Sequence, residues 1–154
     1  MANLYAIAGE KFYIGPVKNP TSSDFVAGDF TATSPDQWIL VDGWMNAGRF
    51  GDNSALITTP LINRGRDTKQ KGTSNAGSMQ NQFAVINADP GQVALLAASL
   101  PTVTDNYAFK ITFPDSTTKY FSGLVMTAEE NGGGANTVRA LAVTIEINSN
   151  IVTV

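Results

Sequence analysis

The chain has 154 residues, 43% of them apolar and 15% charged, and contains neither cysteine nor histidine. That composition removes disulfides, thiolate nucleophiles, imidazole bases and most zinc, copper and iron ligand sets together. With 10 basic against 13 acidic residues and a pI near 4.7, a dedicated nucleic-acid-binding surface is not expected either.

A chain of this length fits one domain, residues 1–154, which buries roughly 70% of its unfolded surface. The charged fraction lies below the usual quarter, as expected where much of the surface ends in contacts between copies. Met1 to Gly9 has no basic segment followed by an apolar one, and no apolar run approaches the length of a membrane helix. A product made and folded in the cytoplasm, with no membrane contact, is the expectation.

Leu4 to Ile14 reads as two short strands around Ala8, Gly9 and Glu10, with Tyr5 and Ile7, then Phe12 and Ile14, at period-2 spacing. Gly15, Pro16, Asn19 and Pro20 then break regular structure. Residues 20 to 36 hold Asp24, Asp29 and Asp36 and no base, and read as a connecting loop or an edge strand. Trp38 to Val41 is a brief strand ended by Asp42 and Gly43.

Residues 43 to 77 come next, a stretch rich in Gly, Asn, Ser and Thr that holds six of the 14 glycines and half of the basic residues. Arg49, Arg64, Arg66, Lys69 and Lys71 face only Asp52 and Asp67, so the stretch is +3 while the rest of the chain is −6. A loop of this length is uncommon inside a compact domain and is usually functional or disordered. A mobile basic arm on an acidic body suits docking onto an identical neighbour. Within it, Ala55 to Thr59 is a short apolar and β-branched segment stopped by Pro60, and Thr68 to Gly72 a polar one.

Ser78 to Ile86 resumes as a strand with polar residues on both faces. Asp89 is a good N-cap, with Pro90 at the first helical position and Gln92 where a capping box places its partner. Val93, Leu96, Ala97 and Leu100 recur at i, i+3, i+4 and i+7, which predicts a helix packing that stripe on the body, and Pro101 stops it. Tyr107, Phe109, Ile111 and Phe113 alternate as a strand. Lys119 to Glu130 pairs back, and Gly132, Gly133 and Gly134 supply a tight hairpin. Leu141, Val143, Ile145 and Ile147 form the apolar face of a long last strand, and Ile151 to Val154 extends it or makes a short edge.

The motifs give chemistry little support. Glu129 and Glu130 are adjacent on a strand and point to opposite faces, so they cannot serve one substrate as acid and base. The aspartates lack the alternation of a calcium loop, and no phosphate loop, dinucleotide fingerprint or Gly-x-Ser-x-Gly elbow is present. No metal, cofactor or enzymatic activity is expected. Trp38 and Trp44 read first as core or subunit contacts. A carbohydrate-binding β-sandwich would instead display one of them, and a glycosidase working through Asp and Glu is the enzyme alternative.

The order of these parts resembles the tail tube (major tail) protein of long, non-contractile bacteriophage tails, a relative of the type VI secretion tube protein. The residues that carry the resemblance are Val41-Asp42-Gly43-Trp44-Met45, then Thr58-Thr59-Pro60-Leu61 with Arg64 to Gly72, the helix opened by Asp89-Pro90-Gly91-Gln92, and the C-terminal hairpin. The resemblance implies a mainly β fold, a β-sandwich or half-barrel with one flanking α-helix and a long extended loop. It implies six-membered rings stacked into a tube through which genome DNA passes without specific binding, in a virion tail assembled in the host cytoplasm. Tape measure, tail-tip and tail terminator proteins are the implied partners, and a chain ending at Val154 implies a smooth tube. The loop would be mobile in the monomer and order on ring stacking through Trp44, Arg49, Leu56, Ile57, Leu61, Ile62, Arg64, Arg66, Lys69 and Lys71. Asp24, Asp29, Asp36 and Asp42 are the candidate acidic docking partners.

Overall fold

The computed structural model describes residues 4–32 and 35–154. In chain order it contains β1 (Lys11–Val17), α1 (Ala27–Thr31), a 3-10 turn (Pro35–Gln37), β2 (Ile39–Val41), β3 (Trp44–Asn46), β4 (Asn53–Thr59), β5 (Thr68–Asn75), β6 (Ser78–Ala84), α2 (Pro90–Ala98), β7 (Tyr107–Thr112), β8 (Thr118–Asn131), β9 (Ala140–Ile147) and β10 (Val152–Thr153). Eight strands form one antiparallel sheet in the order β2-β1-β7-β8-β9-β6-β3, with β10 beside β8. β4 and β5 pair with each other as a separate ribbon.

Alternation in the strands decides which side of the sheet is dry. Phe12 and Ile14 of β1, Phe109 and Ile111 of β7, Phe121 and Val125 of β8, Leu141, Val143, Ile145 and Ile147 of β9, and Met79 and Phe83 of β6 all enter one core. The sheet curls until its two ends meet. Phe12 lies 5.3 Å from Trp44 and 5.7 Å from Phe83, ring centre to ring centre, although β1 and β3 stand near opposite ends of the strand order. The architecture is the expected half-barrel. Each fully buried ring contributes on the order of 1.5 to 3 kcal/mol relative to exposure.

A smaller cluster lies on the other side of β7 and β8, where Ala108 and Tyr120 pack with Phe25 and Phe30 of the α1 region and with Trp38. Lys110 places its ammonium 4.4 Å from the Tyr13 ring centre and 5.3 Å from that of Trp38, and burial pulls its pKa below the ordinary lysine value. Trp38 also lies over Gly15, where a Cβ would sit 2.6 Å from the indole.

Several expectations are corrected. Residues 4–10 form no strand, and Leu4, Tyr5 and Ile7 are exposed, because no sheet edge lies beside them to satisfy a ladder. β1 runs through Gly15 and Pro16 to Val17, with a register shift between Ile14 and Val17 absorbing the break. The acidic 20–36 segment holds α1, so among the described residues two α-helices flank the sheet. Gly132 to Gly134 have no positive φ, since the connection from β8 to β9 spans residues 132–139 and is no tight turn.

α2 begins as expected, with Pro90 in the first turn and Asp89 accepting from the Gln92 N–H at 3.0 Å. The Gln92 side chain does not complete a capping box. It is buried and accepts from Ile86 N–H at 3.0 Å, while its amide donates to the carbonyls of Asp42 at 2.9 Å and Ala84 at 2.7 Å. These bonds seat the helix against the ends of β2 and β6, so Gly91, Leu95 and Ala98 face inward. Gly91 allows the approach, since a Cβ there would lie 2.3 Å from the Leu40 carbonyl oxygen. The predicted stripe of Val93, Leu96, Ala97 and Leu100 therefore faces solvent.

Candidate functional site

The stretch read as a loop is built of strands. Trp44 belongs to β3, half-buried against Phe12 and Phe83, and its Nε1 donates to Asn81 Oδ1 at 3.3 Å. The same oxygen accepts from Gly48 N–H at 2.8 Å, and the chain passes so close to β6 that a Cβ at Gly48 would lie 2.4 Å from the Gln80 carbonyl oxygen. Phe50 stacks on Phe121 at 6.1 Å. These contacts fix the outgoing chain to the body. Ala76, buried in the core, holds the returning chain.

Between the anchors the chain leaves the body as the β4–β5 ribbon. Every residue of β4 is exposed, and every residue of β5 except Gly72. The ribbon's two crossings are marked by Gly51 (φ 147°) and Gly77 (φ 82°), and open space surrounds both. Residues that pair directly across share a face. Leu56 pairs with Lys71 and Thr58 with Lys69, which makes one face basic, and Ile57 with Gln70 and Thr59 with Thr68, which leaves the other uncharged.

The turn from β4 to β5 carries Leu61, Ile62, Arg64 and Arg66, all exposed. Arg49 is also exposed, near the base. Among the described residues the sole ion pair joins Arg139 to Glu130 at 2.7 Å, so none of the five basic residues of the stretch is ion-paired there. A two-stranded ribbon with both edges unpaired is marginal by itself in water, and it displays aliphatic side chains and free backbone groups that a second body would cover.

Asp24, Asp29 and Asp42 do not form one acceptor patch. Asp24 lines an open groove of about 390 Å³ with Asp52 and Asn148 at the ribbon's own base. Asp29 is engaged at the start of α1, accepting from Val26 N–H at 2.8 Å. Asp42 stands at the far end of the sheet, where its carboxylate accepts from Gly43 N–H at 2.8 Å. The side chain of Asp36 lies outside the described residues. Phe50 and Asn81 were missed by sequence reasoning: an aromatic in a glycine-rich stretch was the available signal for the first, and nothing marked the second.

No protein-family model matches the chain, and no curated protein matches its sequence. Solved structures do. A chain of the anti-feeding prophage baseplate, a 6-fold symmetrised structure, superposes with a TM-score of 0.74 at 12% identity, covering 100% of this chain and 97% of that one. The fold is tail-tube-like. A chain from the sheath/tube terminator of an extracellular contractile injection system superposes with a TM-score of 0.66 at 11% identity, covering 99% and 98%. One from the sheath-tube complex of such a system gives 0.62 at 10% identity, covering 98% and 91%. These neighbours come from contractile systems, so the tail-tube-like fold is not tied to non-contractile tails.

Proposed function

We propose that this protein is a structural subunit of a phage-tail-type tube. It forms hexameric rings that stack into a hollow conduit within the tail of a virion, assembled in the host cytoplasm as one domain and without catalytic activity. The observation that carries this reading is the β4–β5 ribbon, exposed at every residue but Gly72, on a body whose length superposes on chains of baseplate and sheath-tube structures. A ribbon that costs stability in the monomer is retained where it becomes buried on assembly. The ring-stacking role belongs to Leu56, Ile57, Leu61 and Ile62 with Arg64, Arg66, Lys69 and Lys71, while Trp44 packs into the body against Phe12 and Phe83 and Arg49 stands exposed near the ribbon's base.

Genome DNA would pass through the lumen without specific binding, because a net −6 body repels phosphate where a basic wall would hold it by counterion release. Tape measure, tail-tip and tail terminator proteins are the partners this role requires. A type VI-like tube would share the rings and differ in cargo. The carbohydrate reading loses its support, since Trp38 and Trp44 are both packed against neighbouring aromatic rings. Negative-stain microscopy of concentrated protein, with light scattering on the same sample, tests the proposal. Rings or tubes support it, and a monomer at every concentration overturns it.

A further inference from the structure

α2 is apolar on every side. Leu95 and Ala98 are buried beneath it, while Val93, Leu96 and Leu100 are 52%, 45% and 53% exposed. A helix of that pattern belongs inside a larger body, and this chain covers only its inner side. No residue from 90 to 104 carries a charge. Ile86, whose N–H is held by Gln92, adds a further exposed aliphatic side chain where the helix starts. Two carboxylates flank the same end: Asp89 caps the helix, and Asp42 is tied to it through its own N–H, which donates to Asp89 Oδ2 at 3.1 Å.

The tip of the ribbon has the complementary make-up. Leu61 and Ile62 are exposed, Ile62 completely, and Arg64 and Arg66 stand exposed beside them with no ion pair among the described residues. The two surfaces belong to opposite ends of the molecule. The ribbon returns to the body just before Ser78, and Gln92 ties the start of α2 to Ala84 at the other end of β6. Seven strand residues separate these ends by about 20 Å. Complementary patches at opposite ends make a heterologous, head-to-tail contact, which repeats without closing along the axis.

We propose that the ribbon tip of one copy docks on the outward face of α2 in a second copy. Leu61 and Ile62 cover Val93 and Leu96, and the two arginines lie beside Asp42 and Asp89. The inference rests on reading the protein as a stacking subunit, and it names the surface that receives the ribbon. Asp42 is thereby the acidic partner among the four candidate aspartates.

The absence of cysteine makes the test direct, because only introduced thiols can cross-link. Ile62→Cys protein is mixed with Leu96→Cys protein, concentrated and oxidised. Covalent dimers are expected in the mixture, with none above background from either variant alone or from Ile62→Cys mixed with Met126→Cys, a control on the exposed part of β8. Leu96→Asp is expected to abolish tubes and leave the unfolding midpoint of the monomer unchanged. If microscopy shows tubes while the mixture cross-links no better than the control, the inference falls and the proposed function stands. If the parent forms neither rings nor tubes, both fall. Dimers from Tyr5→Cys with Leu96→Cys, in place of the Ile62→Cys pair, also overturn it and give the helix face to the exposed N-terminal segment.

Discussion

Gln92 shows how one buried polar side chain positions a whole end of the molecule. Its carboxamide satisfies two carbonyls and one N–H from two segments far apart in the chain, at Asp42 and at Ala84 to Ile86, and it is only 3% exposed. Truncation leaves those groups buried without partners, at about 1 to 3 kcal/mol for each that water does not reach. Gln92→Ala should therefore cost at least about 2 kcal/mol in urea unfolding. A change close to zero would mean that water replaces the side chain. Asn81 is the comparable residue within β6, where its Oδ1 accepts from Trp44 and Gly48 on the chain that leads out toward the ribbon.

At the scale of elements, α2 separates inward from outward positions. Leu95→Ala should cost about 2 to 5 kcal/mol, as should Ile145→Ala, because both side chains are fully buried in one core. Leu96→Ala should leave the monomer within about 0.5 kcal/mol of the parent. Equal losses at Leu95 and Leu96 in chemical denaturation would contradict the seating of the helix. The sequence could not choose between these faces, since α2 is apolar on all sides and its orientation is set by Gln92 and Gly91, whose contacts come from residues distant along the chain. The strands were legible where one face is dry and the other wet, as along Leu141 to Ile147. They were not legible for Leu4 to Ile7, where the pattern is present but no neighbouring edge completes it. The 43–77 stretch was legible as a unit by its charge. Its pairing was not, because exposed polar strands such as Thr68 to Asn75 carry no hydrophobic alternation.

For the whole molecule, the proposed stacking sets the +3 stretch of one copy against the −6 body of the next, an attraction whose screening can be measured. Reversing Arg64 and Arg66 to Glu should stop tube growth while changing monomer stability by no more than about 0.5 kcal/mol, because both side chains are exposed and unpaired. Tube length of the parent should fall as salt rises, and apolar contacts of Leu61 and Ile62 should leave a residual assembly that salt does not remove. Tubes from the reversed variant equal to the parent's at low and high salt would assign stacking to the apolar contacts alone. The central claim is that the ribbon is the assembly device, and replacing residues 60–67 with an Asn-Gly turn tests it most directly, since that pair closes a two-residue hairpin. Negative-stain microscopy of parent and shortened protein at equal concentration should show tubes from the parent, and from the variant only folded monomers or single rings with an unchanged unfolding midpoint. Tubes of parental length from the shortened protein would contradict the account.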